Sequence, residues 1–269
     1  MEFRVNHAPV FSTLEFTLAQ HEFVVAQPNS MLTMSNGIGV SAYVGRQPTA
    51  PCDDGERSIA TAAQSSADNP PSSTPSDDAS PAISPRPGRR NSWFSGFKNM
   101  LGGESFFTAE FRAKSNDQTV VLAPESYGDI VTLDLSSQSS YYLTRGSYLA
   151  NVGATNIRIK YGGLKGLMSK KGLFLLHATG QGHVFCQSYG AIVHRYLEAD
   201  ETLFVDNRFM IAFSDTVTYQ LVKATESIKD SLMSGEGLVN RYTGPGDLFF
   251  QTRGKPTGGF LTTLIDVAF

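Results

Sequence analysis

Ser126-Tyr127-Gly128-Asp129-Ile130-Val131 and Ser188-Tyr189-Gly190-Ala191-Ile192-Val193 are two copies of one pattern, 62 residues apart. Without a gap, the same offset lays Tyr142 on Phe204, Leu149 on Ile211, Ala150 on Ala212, and Ile157 and Ile159 on Tyr219 and Leu221. An offset of 117 brings in the N-terminus: Leu14, Phe16 and Leu18 fall on Val131, Leu133 and Leu135, while Val25, Leu32 and Val40 fall on Tyr142, Leu149 and Ile157. One ladder of apolar positions therefore occurs three times. Repeats of this length are structural units that bury their apolar faces against their neighbours.

The apolar positions alternate with polar ones, as Val217, Tyr219 and Leu221 do with Thr216, Thr218 and Gln220. Period two is the mark of a strand with one buried face. Gly, Asn and Asp punctuate these runs at the rhythm of a sandwich or barrel. The expectation is an all-β fold with three internal repeats in pseudo-three-fold order, with short connector helices at Ser92 to Leu101 and Ala224 to Met233. Each ladder is expected to follow a hairpin. Two are placed at Phe106 to Ala123 and at Gly172 to Gln187, the latter turning at Thr179-Gly180-Gln181-Gly182. The third, turning at Thr243-Gly244-Pro245-Gly246, lies at the C-terminus, which suggests a closed ring with one unit stitched from both chain ends. Gly254 and Phe11 both map onto Gly128 and Gly190, so closure predicts that they lie close in space.

Residues 48–92 interrupt this order. They hold eight of the chain's 13 prolines, many Ser, Ala and Asp, and only Ile59 and Ile83 as large aliphatics. Such a stretch cannot bury enough apolar surface to offset its ordering entropy, so it is expected to be a disordered insert in a connector between units, where added length costs little closure entropy. The domain is then 1–47 plus 93–269.

Over 269 residues the net charge is −3, which supplies no basic field for phosphate backbones. DNA binding is not expected and RNA binding is disfavoured. No apolar run is long enough to span a bilayer as a helix. The two cysteines, Cys52 and Cys186, form no metal-ligand spacing, and a reducing compartment suits them.

Several separate motifs resemble one family. They are Met1-Glu2-Phe3-Arg4, Ala26-Gln27-Pro28-Asn29-Ser30-Met31, Met100-Leu101-Gly102-Gly103-Glu104-Ser105-Phe106-Phe107, Leu122-Ala123-Pro124 followed by Gly128-Asp129-Ile130-Val131, Ser234-Gly235-Glu236-Gly237-Leu238 and Thr243-Gly244-Pro245-Gly246. Together, and over nearly everything outside the insert, the chain resembles the family named for altered inheritance of mitochondria protein 24. The resemblance implies a fold like that of the tryptophan RNA-binding attenuation protein (TRAP), a β-sandwich or double-stranded β-helix, here repeated within one chain. It also implies a link to mitochondrial membrane organisation in the fungal members, and it supplies no catalytic residues. The start of this chain looks like that of bacterial members, so the expected location is cytoplasmic, with mitochondrial as the alternative.

Candidate chemistry is sparse. His177 and His183 flank the expected turn and could face each other across it as two nitrogen ligands, but no third ligand stands at a fixed spacing. His194 follows Ile192-Val193, taken as a buried pair, and reads as structural. Cys186 follows Phe185 in an apolar strand and reads as a small buried hydrophobe. No glycine-rich loop opens a helix in the way a phosphate site needs. No catalytic, cofactor or metal residues are expected. Arg89-Arg90-Asn91-Ser92 suits a basophilic kinase, and phosphate on Ser92 would add about −2 charge beside Trp93 and Phe94. With Phe97, these rings form an apolar patch that packs on the β core or touches a partner or a membrane surface. The expected function is a non-catalytic scaffold or interaction protein that binds protein partners or self-associates, with a small-molecule or RNA binding module as the alternative.

Overall fold

The computed structural model describes residues 1–44, 107–161, 174–223 and 238–254. The expected insert, the connector helices and the Trp93, Phe94, Phe97 patch all lie outside these described residues. The chain divides into a body, Met1–Thr49 with Gly103–Phe269, and an intervening unit, Ala50–Gly102, of which nothing is described.

After a leading strand β1 (Glu2–Asn6), the described residues form three modules. The first contains β2 (Thr13–Leu18), β3 (Phe23–Ala26), β4 (Met31–Met34), β5 (Ile38–Val44), β6 (Phe107–Ala113) and β7 (Gln118–Leu122). The second contains β8 (Ile130–Leu135), β9 (Tyr141–Thr144), a single 3-10 turn at Arg145–Ser147, β10 (Tyr148–Tyr161) and β11 (Phe174–Gln187). The third contains β12 (Ile192–Leu197), β13 (Thr202–Val205), β14 (Met210–Ser214), β15 (Thr218–Lys223), β16 (Leu238–Thr243) and β17 (Gly246–Gln251). Every ladder between these strands is antiparallel.

One pairing scheme recurs. In the first module β7 lies between β2 and β4, and β6 lies between β3 and β5. In the third, β17 lies between β12 and β14, and β16 between β13 and β15. The second module shows the same scheme with strands fused end to end: β8, β9 and β10 all pair on the single long strand β11. The first and third modules are thus each two small sets of three strands, and in the second the two sets run together in one sheet through β11. In β2, alternate residues Leu14, Phe16 and Leu18 are fully buried, as period two predicts.

The expected hairpins are not hairpins. β6 and β7 join different sheets and do not pair with each other, nor do β16 and β17. β11 runs unbroken through Thr179-Gly180-Gln181-Gly182. The physical reason is that its glycines take positive φ while staying paired in register with β10, so the strand continues past them to new partners instead of reversing. Gly180 has φ +110° and sits opposite Thr155, where a Cβ would lie 2.2 Å from the Ala154 carbonyl oxygen. The C-terminal pair β16 and β17 completes its own third module, so no unit is stitched from the two chain ends. The first module is completed by β6 and β7 after the long connection, so in chain order residues 48–92 fall between two strands of one module, β5 and β6, and not between units. Gly254 lies beside Arg208 and Phe209, whereas Phe11 bridges Gly128.

Modules are joined by a second recurring contact. The second strand of one pairs with the third strand of the next. β3 meets β10 with Ala26 opposite Ala150 and Val25 opposite Asn151. β9 meets β14 with Leu143 opposite Ala212 and Tyr142 opposite Phe213. By the offsets of 117 and 62 these are the same register. The cores cross the seams as well. Phe185 and Leu149 of the second module pack with Leu14 and Phe16 of the first, and Leu175 packs with Phe213, Tyr242 and Leu248 of the third. Phe3 of β1 covers the first seam, with its ring centroid 4.9 Å from that of Phe185.

Gly180→Ala should lower unfolding free energy by at least about 2 kcal/mol in urea titration, because it combines a strained φ with a backbone clash. Gly146→Ala, which meets nothing within 4 Å, is the control and should change stability by less than about 0.5 kcal/mol.

Candidate functional site

The fold separates the two histidines expected to face each other. On one extended strand, six positions span roughly 20 Å. His177 stacks on Tyr142 at 4.6 Å between ring centroids, and His183 bonds the Asp134 carboxylate through Nδ1 at 2.7 Å. His194 stacks on Phe249 at 4.6 Å and bonds Asp247 at 2.7 Å, a structural role. Ile192 and Val193 before it are only half-buried, because β12 is the terminal strand of its sheet. Cys186 is fully buried, and burial pushes its thiol pKa up to about 12, so it stays protonated and unreactive. Ser92 lies outside the described residues. Among the described residues, no three His, Cys, Asp or Glu side chains converge to hold a metal ion.

Two clusters of titratable groups do form. The first surrounds His177. Burial lowers its pKa, and Lys160 lowers it further, against a smaller upward effect of Asp215. The closest Asp215 oxygen is 3.9 Å from Nε2, too far for a hydrogen bond. Lys160 donates to the Tyr142 hydroxyl at 2.8 Å, and Tyr219 and Phe213 close the aromatic side.

The second cluster is an open groove of about 450 Å³ lined by His21, Gly39, Ser41, Tyr43, Glu110, Arg112, Ala113 and Lys114. Strand parity builds it, since Glu110, Arg112 and Lys114 are two apart and project to one side of β6 and its extension. Glu110 is 3% exposed. Its Oε1 accepts from Arg112 Nε at 2.7 Å, while its Oε2 is buried without a hydrogen-bond partner. The Tyr43 phenol pKa is raised, by burial first and then by the Glu110 charge. The Arg112 guanidinium lies 4.3 Å from the Phe23 ring centroid and donates to the His21 carbonyl at 3.0 Å. A buried carboxylate with an unused oxygen costs stability. Its setting in a cationic groove could hold a small ligand bearing both a donor and an anionic group. This groove was missed in the sequence, where the only signal is the spacing Glu110-x-Arg112-x-Lys114 on a strand.

A family model described as mitochondrial biogenesis AIM24 matches residues 78–253, well over half of the chain. The crystal structure of protein SPYM3_0169 from Streptococcus pyogenes resembles this fold with a TM-score of 0.64 at 21% identity, covering 94% of each chain. At that identity the likeness shows the fold. No curated protein sequence matches the chain.

Lowering pH should destabilise the fold through His177. Its native pKa lies below the ordinary 6.5, so the unfolded chain takes up a proton that the native state resists, and this stability is lost as pH falls through about 6.5. In urea titrations at neutral and mildly acidic pH, His177→Phe should keep the ring stacking and lose less stability on acidification than the parent chain.

Proposed function

The chain belongs to the AIM24 mitochondrial biogenesis family, and from that premise we propose that it is a non-catalytic β scaffold presenting a rigid surface to protein partners or to further copies of itself. The observation that carries this reading is how the fold uses its ionisable side chains. His183–Asp134 and His194–Asp247 each bridge adjacent paired strands, while Arg195–Glu201 and Arg208–Asp206 close turns. These groups hold strands in place instead of meeting at a cleft as an acid, base or nucleophile would. Among the described residues no helix is long and apolar enough to cross a membrane. The compartment proposed is the cytoplasm, or the mitochondrion with which the family is linked.

A second reading is a small-molecule binding module, favoured by the unused Glu110 Oε2 in its cationic groove. Under this reading a ligand with an ammonium or amide donor stabilises the chain, and Glu110→Gln removes the effect. Phosphorylation at Ser92 is a separate proposal. Intact-mass measurement on protein from its native cell tests it, with an adduct of one phosphate expected and a mass without it contradicting the idea.

The scaffold reading is tested with the full chain. Cross-linking in its native cells should recover protein partners or self-links, and incubation with ester, phosphoester and glycoside substrates should give no turnover above buffer. Turnover that disappears in Glu110→Gln or His183→Gln would contradict the reading.

A further inference from the structure

The joint between modules has two halves, the second strand of one module and the third strand of its neighbour. Two joints are formed within the chain, β3 with β10 and β9 with β14. They use four of the six strands that occupy such positions. The remaining two are β4, the third strand of the first module, and β13, the second strand of the third. Each is the outer strand of its sheet. Among the described residues no ladder joins β13 to β4. Both edges are apolar and open: Met31 is 43% exposed, Leu32 56% and Met34 43% on β4, and Phe204 59% on β13. Neither Met31-Leu32-Thr33-Met34 nor Thr202-Leu203-Phe204-Val205 contains a charge. Natural edge strands are ordinarily protected by charged residues, proline or a covering segment, and an unprotected apolar edge templates pairing with another strand.

We propose that β4 of one copy of the chain pairs antiparallel with β13 of a second copy, forming between chains the joint already formed twice within one. The occupant follows from continuity with that joint, because the edges are its two missing halves. The register follows as well. Ala26 opposite Ala150 and Leu143 opposite Ala212 occupy the position that becomes Val205 opposite Thr33. Val25 opposite Asn151 and Tyr142 opposite Phe213 become Phe204 opposite Met34, which brings together two of the exposed apolar side chains. The flanking hydrogen bond from Gln27 N to the Leu149 carbonyl, 2.8 Å, becomes one from Asp206 N to the Leu32 carbonyl of the neighbouring copy. Such a contact joins two different surfaces of the chain, so copies add head to tail until rotation closes a ring. The inference rests on the self-association half of the scaffold reading but not on the absence of catalysis: single chains in solution would overturn this joint alone, whereas turnover would overturn only the non-catalytic reading.

The test uses the full chain. Light scattering after size exclusion, with native mass spectrometry, should give an integer multiple of the single-chain mass at tens of micromolar. Met34→Lys and Phe204→Lys each place a charge on one exposed edge, at the two positions that face each other in the joint, and should reduce the assembly to single chains with the cooperative melt retained. Mixing Met34→Lys with Phe204→Glu should restore the full assembly, since the unaltered β13 and β4 pair as in the parent and the altered edges are oppositely charged, whereas mixing Met34→Lys with Phe204→Lys should stop at a pair of chains. In a Cys52→Ser background, Thr33→Cys with Val205→Cys should form disulfides between chains on a non-reducing gel. A parent chain that is single at this concentration, Lys variants whose assembly is unchanged, or a disulfide formed within one chain would overturn the proposal.

Discussion

The structure depends on one constraint: no module can bury its apolar face alone. Each is built from only four to six strands, and part of its apolar surface is covered by side chains of the neighbouring module. The recurring antiparallel joint between modules turns short sheets into longer ones and carries core residues across the seam. Phe185 lies in a strand of the second module yet packs with the core of the first, and Leu175 does the same for the third. Stability in such an array is approximately a sum of module and interface terms. Glutamines reinforce the seams at equivalent places. Gln187 donates to the Gly146 carbonyl and to Gln27, and Gln251 donates to the Arg208 carbonyl while accepting from Tyr189 N.

The repeat and the strand content were legible because period two and the offsets of 62 and 117 act on many positions at once. The ends of the strands were harder to read. Glycine clusters such as Thr179-Gly180-Gln181-Gly182 have the composition of a tight turn, and composition does not distinguish a reversal from a strand that continues past its glycines. That distinction lies in what stands opposite. Gly182 faces Gly153 and Gly180 faces Thr155 across the ladder, partners contributed by β10. Taken as hairpins, these glycine clusters move the repeat boundaries by one hairpin, and that alone gives a ring stitched from both ends. In the structure, each unit is contiguous in chain order apart from the long connection inside the first.

The side-chain chemistry was partly legible. Burial of Cys186 followed from its apolar neighbours, whereas the separation of His177 from His183 required knowing that β11 is one strand. Glu110 was invisible for a different reason. A glutamate within a strand pattern reads as solvent-facing, and its burial arises from the sheet geometry around Tyr43, Phe23 and Arg112, which local sequence does not encode. The open edges of β4 and β13 were likewise invisible, because period-two strands read alike whether or not a neighbour is present.

The central claim is that three modules are locked in series by one joint used twice in the same register. Hydrogen–deuterium exchange on the full chain tests it most directly, through peptides covering 23–27, 141–151 and 210–214. The account predicts that amides on both joints exchange only with global unfolding and as one cooperative set. Rapid exchange at one joint while the module cores stay protected would contradict it.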